Sequence, residues 1–150
     1  MLAVFVTGAV APSAAPSGIA LWSGAKRTLS DGVPLYQTIL LSVNNGLVTA
    51  KSVQVFMACV DSATNEANVR AFSATSTVRH ALSLNRLNYS FSARSGGYIG
   101  RLTLTGQLNS NGLGTMRVTL IANSVGGVGV DRCRATVNFV IRRGNRQTPF

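Results

Sequence analysis

Tyr98-Ile99-Gly100-Arg101-Leu102-Thr103-Leu104-Thr105-Gly106-Gln107-Leu108 alternates apolar and polar residues with a period of two. Leu102, Leu104 and Leu108 share one face, and Arg101, Thr103, Thr105 and Gln107 share the other. That is the pattern of a strand buried on one side and wet on the other, as in antiparallel sheets. The same period extends in both directions. Downstream, Asn109-Ser110-Asn111-Gly112 turns the chain into 115–122, with Met116, Val118 and Leu120 inward. Residues 133–142 follow, with Val137, Phe139 and Ile141 inward. Upstream of Ser95-Gly96-Gly97, residues 87–93 place Leu87, Tyr89, Phe91 and Ala93 inward. Residues 69–82 are polar and read as one edge strand or two short pieces. Residues 35–43 and 47–60 flank Asn44-Asn45-Gly46, a strong hairpin turn because Asn-Gly tolerates positive φ at both central positions. Residues 18–25 form a first strand. No stretch carries a 3.6-residue period. The fold class expected is all-β: an antiparallel β-sandwich or closed barrel of seven to eight strands.

Register adds a finer expectation. A two-residue turn at Asn45-Gly46 sets Val43 opposite Val48, and continuing that ladder would turn Val53, Val55 and Met57 to solvent. One extra residue near Lys51-Ser52 restores them to the core, so the strand after the turn should carry a bulge.

The length of 150 residues fits one domain, at 18–143, and 46% hydrophobic residues suffice for a core. Only 12% of residues are charged, yet the net charge is +10, from 12 arginines and 2 lysines against 4 carboxylates. A disordered polybasic tail is excluded by the apolar content, and a polytopic membrane protein by the lack of apolar runs near 18 residues. Residues 1–17 read as a signal-peptide-like or linker segment. Met1 to Val10 is apolar or small, and Ala11-Pro12-Ser13 offers small residues for cleavage before Ala14. The alternative is an uncleaved strand at 2–6 with a Pro-rich linker. Residues 144–150 form a short basic tail.

Cys59 shares parity with Val53, Val55 and Met57, and Cys133 with Val137, Phe139 and Ile141, so both thiols point into one core. In an exported protein that pair reads as a disulfide; the alternative is two separate buried thiols. Catalytic chemistry finds little support. His80 stands beside Arg79, with no nucleophile elbow near it. Asp31, Asp61, Glu66 and Asp131 all fall in loops or strand ends, where acids usually form turns. Gly126-Gly127-Val128-Gly129 joins two strands, whereas a phosphate cradle needs a helix N-terminus behind it. No enzymatic activity, cofactor or metal is expected. The arginines carry the clearest signal. Arg101 and Arg117 fall outward on adjacent strands, Arg134 and Arg142 fall outward on the last strand, and Arg143 lies just beyond. If these strands share a sheet, the five form a guanidinium stripe suited to a polyanion; the alternative is a solvated face kept soluble by net charge.

The Asn44-Asn45-Gly46 turn with the strand reaching Cys59, Gly100, and the Leu104-Thr105-Gly106 to Gly114-Thr115 hairpin form a Gly/Cys framework. Cys133 with Ala135-Thr136-Val137-Asn138-Phe139 and Arg142-Arg143 completes it. This framework, across residues 22–143, resembles small secreted β-rich proteins of actinobacteria. The resemblance implies export, a β-sandwich or barrel, and a bridge between the two cysteines; it implies no reaction. The expectation is a secreted or cell-envelope protein, with no membrane span, whose basic face associates with an anionic polymer (glycan, envelope polymer or nucleic acid). The alternative is a self-assembling homo-oligomer, such as a virion coat, decoration or filament subunit.

Overall fold

The computed structural model describes residues 19–126 and 131–144. Among them the chain forms β1 (Ile19–Ser30), β2 (Val33–Asn44), β3 (Leu47–Val60), β4 (Ala67–Ser76), β5 (His80–Ala81), β6 (Arg86–Ser95), β7 (Tyr98–Leu108), β8 (Leu113–Ser124) and β9 (Arg132–Arg143). The fold is all-β and antiparallel throughout, with the polar 69–82 region divided between β4 and β5. The segments read as leader and basic tail lie outside the described residues, except Gly144.

Two meanders make the architecture. β1 to β4 zigzag into one four-stranded layer and β6 to β9 into another, giving the order β4-β3-β2-β1-β9-β8-β7-β6. Tight turns set the zigzag. Asp31-Gly32 and Asn45-Gly46 both hold two consecutive positive φ angles, 50° and 79° and then 47° and 77°. That geometry matches the twist of the strands it joins. The layers join where β9 crosses from one to the other. Its end pairs with β1 at Trp22↔Arg143 and Ser23↔Arg142. Its start pairs with β3 at Ala58↔Arg134, Cys59↔Cys133 and Val60↔Arg132. β1, β2, β3 and β9 therefore close a four-stranded ring, with the remaining strands bonded outside it.

The alternating faces meet between the layers. Trp22, Ile39, Leu41, Val55, Met57, Phe72, Leu102, Leu104, Met116 and Phe139 are buried there. The layers approach closely at Gly100 of β7, where a Cβ would come within 2.9 Å of the Phe72 ring and 2.7 Å of Leu120. A larger residue at Gly100 would have to displace the Phe72 ring or the Leu120 side chain.

The bulge in β3 is present, two residues nearer the turn than expected. Val43 pairs with Val48 and Ser42 with Ala50, so Thr49 is the extra residue. Its hydroxyl donates to Ser42, 3.2 Å to Oγ and 3.4 Å to the carbonyl oxygen. That local bond favours Thr49 as the inserted residue. Val53, Val55, Met57 and Cys59 consequently face the core, and Lys51 joins them.

Cys59 and Cys133 stand directly opposite each other, with Cα atoms 4.0 Å apart, and are bonded. The bond spans 74 residues and ties the two meanders together. On the chain-entropy estimate such a closure stabilises the fold by about 4 kcal/mol. Thiol titration of the unreduced, denatured protein should find no free thiol. Urea unfolding of Cys59→Ala/Cys133→Ala should show a loss of about that size. Two titratable thiols would contradict the bridge.

Candidate functional site

The wet face of the second layer is where the sequence placed its arginines, and the strands do share one sheet. Registers across β6, β7, β8 and β9 arrange this face in rows. Within a row, neighbouring strands lie about 4.8 Å apart, and successive outward rows lie about 6.8 Å apart. Arg94-Ile99-Asn123-Arg132 forms the first row and Ser92-Arg101-Ile121-Arg134 the second. Next come Ser90-Thr103-Thr119-Thr136 and then Asn88-Thr105-Arg117-Asn138. Arg86-Gln107-Thr115-Val140 follows, and Arg142 pairs with Leu113 at the far end.

Four of the expected arginines therefore lie on one face: Arg101, Arg117, Arg134 and Arg142. Arg143 does not join them. It has the parity of Phe139 and Ile141 and lies opposite Trp22, so it emerges at the rim where β9 meets β1. Three further arginines, Arg86, Arg94 and Arg132, share the face and were missed. Their parity was readable, but the sequence reading ended those strands one or more residues short of them. All seven are exposed.

Among the described residues, no carboxylate occupies an outward position on β6 to β9. Asp31 lies in the β1–β2 turn, and Asp61 and Glu66 lie in the β3–β4 loop. The Asp61 carboxylate accepts from the backbone N–H groups of Ala63 (2.7 Å) and Thr64 (2.9 Å), which hold it below its ordinary pKa, as a turn former. Asp131 accepts from the Tyr98 hydroxyl at 2.9 Å. Burial and that carboxylate push the Tyr98 hydroxyl up. Arg117 Nε donates to Asn138 at 2.9 Å, which orients one guanidinium across neighbouring strands. Arg94, Arg101, Arg132 and Arg134 cluster within three strand spacings, about 14 Å, and one row step. Ile121, 61% exposed, stands between Arg101 and Arg134. No outward position on β6 to β9 is aromatic.

A second cationic feature lies inside. Lys51, 1% exposed, extends from β3 toward the segment after β4. Its ammonium donates to the Val78 carbonyl and sits 4.0 Å from the centre of the Tyr89 ring. Tyr89 stacks on Phe91, and His80 tilts against it at 5.1 Å. His80 is thus half-buried against an aromatic ring. A carbonyl and a ring face compensate part of the cost of burying the charge. Among the described residues, no three His, Cys, Asp or Glu side chains gather as metal ligands.

No family model, no curated protein and no solved structure matches this chain.

Burial lowers the Lys51 pKa from its ordinary 10.5. Between the lowered folded value and 10.5 the unfolded chain binds more protons, so this group's contribution to stability rises as pH climbs through that window. Urea unfolding from pH 7 upward should show wild type gaining on Lys51→Met. Tyr98 titrates in both proteins and cancels in the comparison. A difference independent of pH would mean that Lys51 is not desolvated.

Proposed function

We propose that this chain is a non-enzymatic, exported protein of the cell envelope or extracellular space, and that the β6–β9 face associates with anionic polymers. The observation that carries the reading is the alignment of seven arginines on one sheet face without a carboxylate among them. Guanidinium groups stay charged at every relevant pH and fork onto phosphate, sulfate or carboxylate. The disulfide supports an oxidising compartment.

Binding to heparin or duplex DNA should weaken steeply with salt, because such affinity comes from counterion release. Arg134→Ser/Arg142→Ser should lower the affinity and reduce the salt slope by about one unit per lost contact. The fold should tolerate these exposed changes within about 0.5 kcal/mol. No binding at about 50 mM salt, or binding unchanged in the double variant, would sink the proposal.

A second reading, a self-assembling structural subunit, is favoured by the β1–β2 hairpin. Its ladder runs to Ser30↔Val33, but β2 pairs with β3 only as far as Thr38. β1 pairs with β9 only at Trp22 and Ser23. The distal ribbon projects, with Leu29 65% and Val33 58% exposed. An isolated two-stranded ribbon is marginal in water, and a neighbouring subunit would cover it. Sedimentation should then show assembly that Leu29→Ser/Val33→Ser abolishes; a monomer at every concentration would refute this second reading.

A further inference from the structure

We infer that the polymer suited to the β6–β9 face is an acidic polysaccharide, because two groups of arginines there flank a band of hydroxyl and amide side chains. The inference rests on the polyanion reading above and narrows it to one chemistry. Arg94, Arg101, Arg132 and Arg134 occupy the first two rows, and Arg86 and Arg142 the far ones. Between them lies a row of four hydroxyls, Ser90, Thr103, Thr119 and Thr136, with one residue from each strand. The row beyond adds Asn88, Thr105 and Asn138 around Arg117.

A hydroxyl both donates and accepts, and an amide side chain offers both functions on separate atoms. Sugar hydroxyls need such mixed partners, whereas a phosphodiester oxygen only accepts, and arginine already satisfies it. The Ser90 and Thr103 hydroxyls hydrogen-bond each other at 2.8 Å, which fixes one end of the row. The row's spacing is that of neighbouring strands, about 4.8 Å, so several hydroxyls present themselves along one line across the sheet. A single-stranded nucleic acid would offer base faces that ask for aromatic platforms. Tyr89, Phe91, Tyr98 and Phe139 all have inward parity, and the outward positions contain none. What the face supplies is clustered charge at its two ends and, in the middle, hydroxyl and amide hydrogen-bonding capacity around the single cation Arg117. That matches a chain whose carboxylate or sulfate groups are separated by hydroxyl-bearing rings.

The test compares two probes of equal charge at about 50 mM salt, an oligogalacturonate and oligo(dT), by titration calorimetry. The proteins are wild type, Thr119→Val/Thr136→Val and the single variant Thr136→Val. Valine keeps the shape and strand preference of threonine, and circular dichroism melting verifies the fold. Wild type should bind the oligogalacturonate more tightly. The double variant should lose about fivefold or more of that affinity, as expected for two hydrogen bonds, with oligo(dT) binding unchanged. The exposed Thr136→Val alone should lose about half of that on a logarithmic scale, which keeps the test decisive if the double variant is unstable. Tighter binding of oligo(dT), or variants that weaken both probes equally or neither, would overturn the polysaccharide inference and leave the arginine reading standing. Wild type binding neither probe would overturn both.

Discussion

Three residue pairs between β3 and β9, with the Cys59–Cys133 bond at their centre, hold the two meanders face to face. Apart from this crossing, the β1–β9 junction and the short β5, each strand pairs with its neighbour in the chain. Each meander is built from hairpins whose partners lie close in sequence, so pairing them costs little loop-closure entropy. Neither layer buries its apolar face alone. The β3–β9 crossing brings them together from a sequence distance of 74 residues, and the covalent bond removes much of the loop-closure cost. The second junction, at Trp22 and Ser23 of β1, completes the ring and sets the large indole in the core.

That closure also makes the outer faces unlike. The second layer turns seven arginines and a set of threonines outward. The first layer turns out mainly Ala, Ser, Thr, Leu and Phe56, with Arg27 near the projecting hairpin. A net charge of +10 spread evenly would give only long-range attraction to anything acidic. Concentrated on one sheet, whose backbone fixes the spacing of its rows, it becomes an array with defined geometry. A rigid scaffold of this kind loses less backbone freedom on binding than a loop carrying the same arginines would.

Lys51 shows how one inserted residue propagates. With Thr49 bulged out, the parity of all of β3 downstream is reset, and the core gains Val53, Val55 and Met57 together with a lysine. The hydrophobic gain of burying several large side chains outweighs the cost of one ammonium, which finds the Val78 carbonyl and the Tyr89 ring. The cation in turn anchors the connection between β4 and β5 over the end of the core.

The sequence by itself determined the strands, their inward faces, the Asn45-Gly46 turn and the need for a bulge in β3, because period-two alternation and turn chemistry are local properties. The parity of Cys59 and Cys133 was equally legible, as was the outward set Arg101, Arg117, Arg134 and Arg142. Strand ends were less so: Leu87, Ala93 and Cys133 mark the phase of Arg86, Arg94 and Arg132, but a polar residue at a strand terminus reads equally well as the first residue of the adjoining turn. The crossing of β9 between layers, the cysteines standing opposite one another and the burial of Lys51 were decided only by the tertiary structure. Each depends on which distant strand lies alongside, and alternation within one strand carries no information about that partner.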